Sequence, residues 1–194
     1  MVWRRMTLRF VVVSGLPASG KSTIGRAIAR AMQLRFLDKD HLLESLFDSH
    51  GVGDSTWRAT LSRAADEELR RQAVTSQRAV IASWWRHPRS TAASGTPTAW
   101  LTSLPGELVE VHCRCSPNVA TDRFVSRNRH SGHLDGRYNH LELLANFEEQ
   151  SLLGPLAFGR IVQIDTESSL PISDALAQFL DQVGERSSHG SAID

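Results

Sequence analysis

A chain of 194 residues, 41% hydrophobic and 22% charged, has the composition of one ordinary globular domain with a sizeable core. Its net charge of +1 argues against a long nucleic-acid track or an anionic-membrane surface, and no apolar run approaches spanning length. Two cysteines, Cys113 and Cys115, fit a reducing compartment better than a disulfide framework, so a cytoplasmic location is expected.

Met1 to Arg9 has charges but no apolar h-region, so it reads as a short lead-in and not a signal peptide; Met6 is a second candidate start. Val11, Val12 and Val13 then form a β-branched run expected to be a buried strand. Gly15-Leu-Pro-Ala-Ser-Gly-Lys-Ser22 follows at once and fits G-x-x-x-x-G-K-[ST]. Ile24, Ala27, Ile28 and Ala31 recur at helical spacing behind it. Glycines at 15 and 20 permit a backbone whose N–H groups point inward at the positive end of a helix, which is a phosphate cradle. Gly15, Ala18, Ser19, Gly20, Lys21, Ser22 and Thr23 are therefore candidate nucleotide-binding residues. Lys21 would meet the β and γ phosphates, and the Ser22 hydroxyl would ligate Mg²⁺.

Leu34 to Leu37 reads as a second strand ending in Asp38-Lys39-Asp40, with a helix through Leu42, Leu43, Leu46 and Phe47 beyond it. Asp40 is both a candidate helix cap and a carboxylate at a strand's carboxyl end. Ser55 is expected to cap a long helix with Trp57, Leu61, Ala65, Leu69 and Ala73 on one face. Ala79 to Ala82 reads as the third strand and leads into Ser83-Trp84-Trp85-Arg86-His87-Pro88-Arg89. Residues 90–105 form a loop with room for one helical turn around Trp100.

Leu108 to Cys113 alternates as a fourth strand, with Cys113 and Cys115 on one face as a buried pair. Pro117 to Arg129 reads as a helix, 130–139 as a polar loop, and Asn139 with Glu142 as a capping-box start to a helix through Gln150. Arg160 to Ile164 is the fifth strand, ending in Asp165-Thr166, and the last amphipathic helix stops at Gly184. Residues 185–194, rich in serine, glycine and charge, are expected to be a mobile tail. Strands alternating with helices predict an α/β three-layer sandwich, a five-stranded parallel sheet with helices on both faces.

Ligands of such sheets sit outside the carboxyl ends of the strands. Asp40 is the candidate general base there; Asp38 competes for that role and is a candidate substrate or metal-shell residue. Between His112 and His140 five arginines face two aspartates, so cationic charge is concentrated in a chain that is nearly neutral overall. Arg123 and Arg127, four apart on the expected helix, share a face, and Arg129 would act from the loop. One indole of Trp84-Trp85 is free to line the site while the other packs inward, and Trp84 with Arg86 would suit a sugar, a base or another flat group. His130, His133 and His140 lack the context of a metal motif.

These motifs resemble those of P-loop kinases of the nucleoside-monophosphate-kinase-like group, among them the families of chloramphenicol phosphotransferase, zeta toxin, adenylylsulfate kinase and the kinase domain of polynucleotide kinase. Gly15 to Ser22 is similar to their Walker A loop, Leu37-Asp-Lys-Asp-His41 to the short acidic motif after strand two, and Cys115-Ser-Pro117 through Arg129 to their lid. Ile164-Asp-Thr166 is similar to the segment beside the adenine, which makes Asp165 and Thr166 nucleotide-binding candidates. The resemblance implies a P-loop kinase domain over 1–184, sheet order 2-3-1-4-5, an Arg-rich lid over about 117–138, and ATP with Mg²⁺ as cofactors. Ser83 stands where many relatives carry an acid.

The leading expectation is a γ-phosphate transferase acting on a small-molecule hydroxyl, with Lys21, Asp40, Arg123, Arg127 and Arg129 as catalytic residues. A 5′-hydroxyl polynucleotide kinase is disfavoured by the charge balance, and a nucleotide switch without transfer is the non-enzymatic alternative. No membrane partner is expected, and the oligomeric state is left unassigned.

Overall fold

The computed structural model describes residues 8–168 and 171–184. Of the lead-in expected over Met1 to Arg9, residues 1–7 with the alternative start Met6 lie outside the described residues, as does the tail 185–194, whereas Leu8 and Arg9 already belong to the first strand. Strands β1 (Leu8–Gly15), β2 (Arg35–Asp38), β3 (Ala79–Ala82), β4 (Glu107–Arg114) and β5 (Arg160–Asp165) form one sheet in the order β2-β3-β1-β4-β5. All four pairings are parallel, with Val12 opposite Ile81 on one side and Glu110 on the other. This is the expected order, and the fold is that of a P-loop kinase.

Among the described residues six α-helices connect and cover the strands: α1 (Lys21–Met32), α2 (Lys39–His50), α3 (Ser55–Ser76), α4 (Pro117–Ser126), α5 (His140–Ser151) and α6 (Ile172–Gly184). Alternation along the strands sorts the core into two layers. Val11, Val13, Val109 and Val111 pack against Ile24 and Ile28 of α1 and Phe179 of α6. Phe10, Val12 and Ile81 pack on the other face against Leu69 and Ala73 of α3, with Trp85 and Leu101. A smaller cluster joins Leu16 of the phosphate loop to Phe124 of α4 and Phe147 of α5, so the segment after β4 rests directly on that loop.

Four local expectations are corrected. Asp38, not Asp40, caps α2, its carboxylate accepting from Asp40 N–H at 3.1 Å. Asp54, not Ser55, caps α3. Helix α4 stops at Ser126, so Arg127 and Arg129 lie in extended or looped chain and do not continue the face of Arg123. Cys113 packs in the α1/α6 layer whereas Cys115, past the end of β4, packs with Leu16 and Phe124; both are buried free thiols, and burial pushes Cys113 up to about 12. Among the described residues no helix is long and apolar enough to cross a membrane.

Candidate active site

The loop from Gly15 to Gly20 closes between β1 and α1. Gly15 has φ 128°, and a Cβ there would lie 2.4 Å from the Cys113 carbonyl oxygen and 2.8 Å from Ser19 Oγ, so the loop can pass only as glycine. Ala18 and Gly20 are also left-handed, at φ 60° and 86°. Gly20 caps α1 without any side-chain hydrogen bond, which leaves the first-turn N–H groups of Lys21, Ser22 and Thr23 to an outside acceptor. Ser19 Oγ is buried without a partner. An orphaned hydroxyl beside open helix N–H groups fits a polyphosphate. Lys21 Nζ spans the loop, donating to Gly15 O at 3.2 Å and Leu16 O at 2.6 Å.

The carboxylates after β2 sit opposite this loop and are driven in opposite directions. Burial raises Asp38, with repulsion from Asp40 adding to it, while the Ser22 hydroxyl donates to its carboxylate and opposes the rise. Burial also works to raise Asp40, yet Arg129, His133, Lys21 and Arg127 outweigh it and hold the carboxyl below its ordinary value. Asp40 still has 53% of its side-chain surface open, so it is reachable, whereas Asp38 is occupied with its cap and with Ser22. The adjoining oxygens of Ser22 and Asp38 suit Mg²⁺, which takes one or two protein oxygens and completes its shell with water and phosphate.

The chain after α4 folds down onto α2. Arg129 is the connecting residue: it meets Asp40 Oδ2 at 2.6 Å and Asp135 Oδ2 at 3.1 Å. Arg127 shares Asp135 at 3.1 Å and lies over the Phe124 ring at 4.0 Å, with its buried Nε unpartnered. His133 is buried, its Nε2 2.9 Å from Glu44, and His130 stacks on Phe47 and meets Asp48 at 3.2 Å. Gly132 lies so close that a Cβ would be 2.5 Å from the Phe47 ring. Arg58 of α3 donates to the His133 carbonyl at 2.9 Å. The segment expected as a lid is thus seated on the acidic helix, with Arg127 and Arg129 converging on Asp135 and Arg129 also meeting Asp40.

Arg123 points elsewhere. It donates to the carbonyls of Thr166 and Glu167 at 2.8 and 3.2 Å, so it fastens the loop after β5 and does not join Arg127 and Arg129. Thr166 lies 3.8 Å from the position of a Cβ on Gly20, which puts the end of β5 beside the phosphate loop. Asp165 is paired with Arg114 at 3.1 Å. Trp85 is buried and donates to Val13 O at 2.8 Å, while Trp84 is half-exposed and donates to Gln150 at 3.0 Å, dividing the indoles between core and surface. Arg86 lies beside Trp84 in the lining of a cavity, its guanidinium donating to the carbonyls of Ala93, Ser94 and Gly95. Ser83 is buried and bonds Thr96 at 2.6 Å, so no carboxylate follows β3 there.

Sequence reasoning passed over Glu110, His112 and Glu44. Glu110 is fully buried in β4 and accepts from Ser14 Oγ at 2.6 Å and from the N–H groups of Leu156 and Ala157 at 2.8 and 2.9 Å. Its signal was a carboxylate at an inward position of a central strand.

A phosphate loop followed by paired aspartates on a 2-3-1-4-5 sheet defines a P-loop kinase architecture. The chain matches the AAA_18 family of AAA domains over residues 11–151 and belongs to that family. Shikimate kinase of Corynebacterium glutamicum is 54% identical over 39 residues, 20% of this chain and 23% of that protein. Shikimate kinase of Paracidovorax citrulli is 60% identical over 30 residues, 16% of each chain; the chain therefore spans under a quarter of the curated relatives it matches. Among solved structures, a Chloroflexus aurantiacus protein provisionally assigned as a kinase aligns at TM-score 0.73 and 23% identity, over 91% of this chain and 98% of its own. Shikimate kinase of Acinetobacter baumannii, solved with shikimate, aligns at 0.63 and 15%, over 93% and 96%. A gluconokinase from Sinorhizobium meliloti aligns at 0.55 and 24%, over 96% and 97%. These likenesses show the fold.

Proposed function

We propose that the protein is a Mg²⁺-dependent kinase that moves the γ-phosphate of ATP to a hydroxyl of a small molecule. The observation that carries this reading is the meeting of Arg129 with Asp40, a reachable carboxylate facing Lys21. Asp40 is placed to take the proton of an acceptor hydroxyl as that oxygen forms its bond to phosphorus and the bond to the ADP oxygen breaks. Lys21 and the first-turn N–H groups of α1 hold the phosphates in line, and Arg127 brings an unpaired buried N–H to the charge that spreads over the transferred group. Ser22 and Asp38 would hold Mg²⁺, which when bound neutralises charge on the phosphates. Arg123 and Thr166 shape the nucleotide's far edge.

The reading agrees with the kinase names of the relatives, and their acceptors, shikimate and gluconate, are small hydroxylated molecules. A polynucleotide acceptor has less support, because the guanidinium groups of Arg86 and Arg89 are engaged by loop carbonyls. The test follows the γ-phosphate. Purified protein with labelled ATP and Mg²⁺ is expected to transfer label to at least one of a panel of sugars, polyols, aminoglycosides, nucleosides and 5′-hydroxyl oligonucleotides. Slow hydrolysis with no labelled acceptor would favour the nucleotide-switch alternative.

A further inference from the structure

A cavity of about 130 Å³ opens where the carboxyl ends of β1 and β4 meet the loop after β3 and the end of α5. Engineered apolar cavities of about this size admit a six-membered ring. Gly15 and Leu16, the residues whose carbonyls hold Lys21 Nζ, form part of the wall, together with Trp84, His112, Gln150 and Ser94. Neither Lys21 nor Asp40 is in the wall. The cavity therefore abuts the phosphate loop at a remove from the reacting groups.

The hydrogen-bond chain behind the cavity fixes what it presents. Glu110 already takes the N–H groups of Leu156 and Ala157 and the Ser14 hydroxyl proton. Ser14 has one proton, so the contact between Ser14 Oγ and His112 Nδ1 at 2.9 Å must be donated by the imidazole. His112 Nε2 is then a bare acceptor. Burial first, then the charges of Lys21, His87 and Arg114, push His112 down to about 4, so it stays neutral through the physiological range. The charged groups around the opening are all engaged: Arg86 with the carbonyls of residues 93–95, Arg89 with Leu153 O, and Arg114 with Asp165. Trp84 is held by its N–H on Gln150 and leaves ring surface at the wall. An aromatic face, a neutral acceptor and serine and glutamine side chains form a surface for C–H faces and hydroxyls, bordered by guanidinium groups whose N–H donors are already engaged.

We propose that this cavity receives the body of a neutral, polyhydroxylated acceptor, a sugar or polyol, with His112 Nε2 accepting from one hydroxyl and the Trp84 indole covering a C–H face. The word acceptor rests on the kinase reading; the binding itself does not. Binding energy from this remote part of the molecule would be available to orient the reacting hydroxyl.

Ligand-observed NMR titration of the full chain without nucleotide tests the proposal. The neutral probes are myo-inositol, sorbitol and methyl glucoside; gluconate and ethanolamine are the charged ones. At least one neutral probe should bind, at least about tenfold more tightly than either charged probe. His112→Phe, which deletes the acceptor, and Ser94→Trp, which fills the opening from an exposed loop position, should each weaken that binding about tenfold or more. His112→Gln, which restores an acceptor oxygen, should stay within about threefold of wild type. Binding should be constant from pH 6 to 8. Failure of every neutral probe, equal binding of the charged probes, or indifference to Ser94→Trp would overturn the site. Neutral binding with no phosphate transfer from ATP keeps the site and removes the kinase reading; transfer to a charged acceptor with no neutral probe bound does the reverse.

Discussion

Two carboxylates two residues apart, Asp38 and Asp40, have been given different work by their surroundings. Asp38 caps α2 and takes the Ser22 hydroxyl; Asp40 is left to Arg129 and solvent. Asp40→Asn is therefore expected to lower transfer by about 10²–10⁴-fold while nucleotide affinity changes little, which single-turnover kinetics and nucleotide titration separate. Asp38→Asn should instead raise the Mg²⁺ concentration needed for half-maximal rate; the reverse pattern would move the base to Asp38. Lys21→Ala should abolish turnover with wild-type circular dichroism, because its contacts are to loop carbonyls that glycine geometry holds anyway. At this scale the phosphate loop was legible because its spacing is stringent. Asp40 was legible as a candidate but not as free of the capping role, since cap geometry depends on where the helix starts. For Arg86 the sequence shows a charge and not the three carbonyls that engage it.

The lid is an element whose end the sequence hid. Arg127 and Arg129 have ordinary helix propensity, yet α4 stops at Ser126 and the two arginines turn to Asp135 and Asp40, long-range partners that local propensity does not show. Its seat on α2 is built from Phe47 against His130 and Gly132, with Glu44 and Asp48 on either side. Gly132→Ala should wedge this contact open, since its Cβ would lie 2.5 Å from a ring carbon, at a cost of about 1–3 kcal/mol. Hydrogen exchange should then be faster over residues 127–138 than in wild type. In wild type, protection there should rise more with a non-hydrolysable ATP analogue and Mg²⁺ than with ADP, as Arg127 finds the terminal phosphate. Equal exchange in Gly132→Ala and wild type would show that Phe47 does not hold the segment.

The whole molecule was the most legible level. Alternating apolar runs and helical repeats point to a parallel sheet covered on both sides, and the observed order is the one that the family resemblance implies. What could not be read was the polar interior: Glu110 and His112 alternate with Val109, Val111 and Cys113 in β4, and only the fold shows them joined through Ser14. That network predicts acid sensitivity. His112 is held near 4 in the fold against about 6.5 when unfolded, and His133 is lowered by burial and Arg129. A base with a depressed folded pKa leaves the unfolded chain binding more protons, so stability is complete above about pH 6.5 and falls as pH drops toward 4. His112 alone would remove on the order of 3 kcal/mol at the lower end. Calorimetry should find the Tm several degrees lower at pH 5 than at pH 7.5, with a smaller drop in His112→Gln. A Tm that is flat over this interval would count against the network.

If Asp40 is the base, as proposed, Arg129 covers one oxygen of a carboxylate that is otherwise half-exposed, and full access to it requires that pair to open. Any acceptor affinity measured on the intact chain is then a product of two numbers, the affinity of the open form and its share of the population. If the open form were one molecule in about a hundred, the apparent dissociation constant would be about a hundredfold weaker than the intrinsic one. Arg129→Ala separates the two: acceptor binding should tighten while transfer slows, as pre-steady-state mixing can resolve. A screen run on the wild-type chain would then undervalue each acceptor that needs the open form, and ranking candidates on Arg129→Ala first would bring weak but genuine ones within detection.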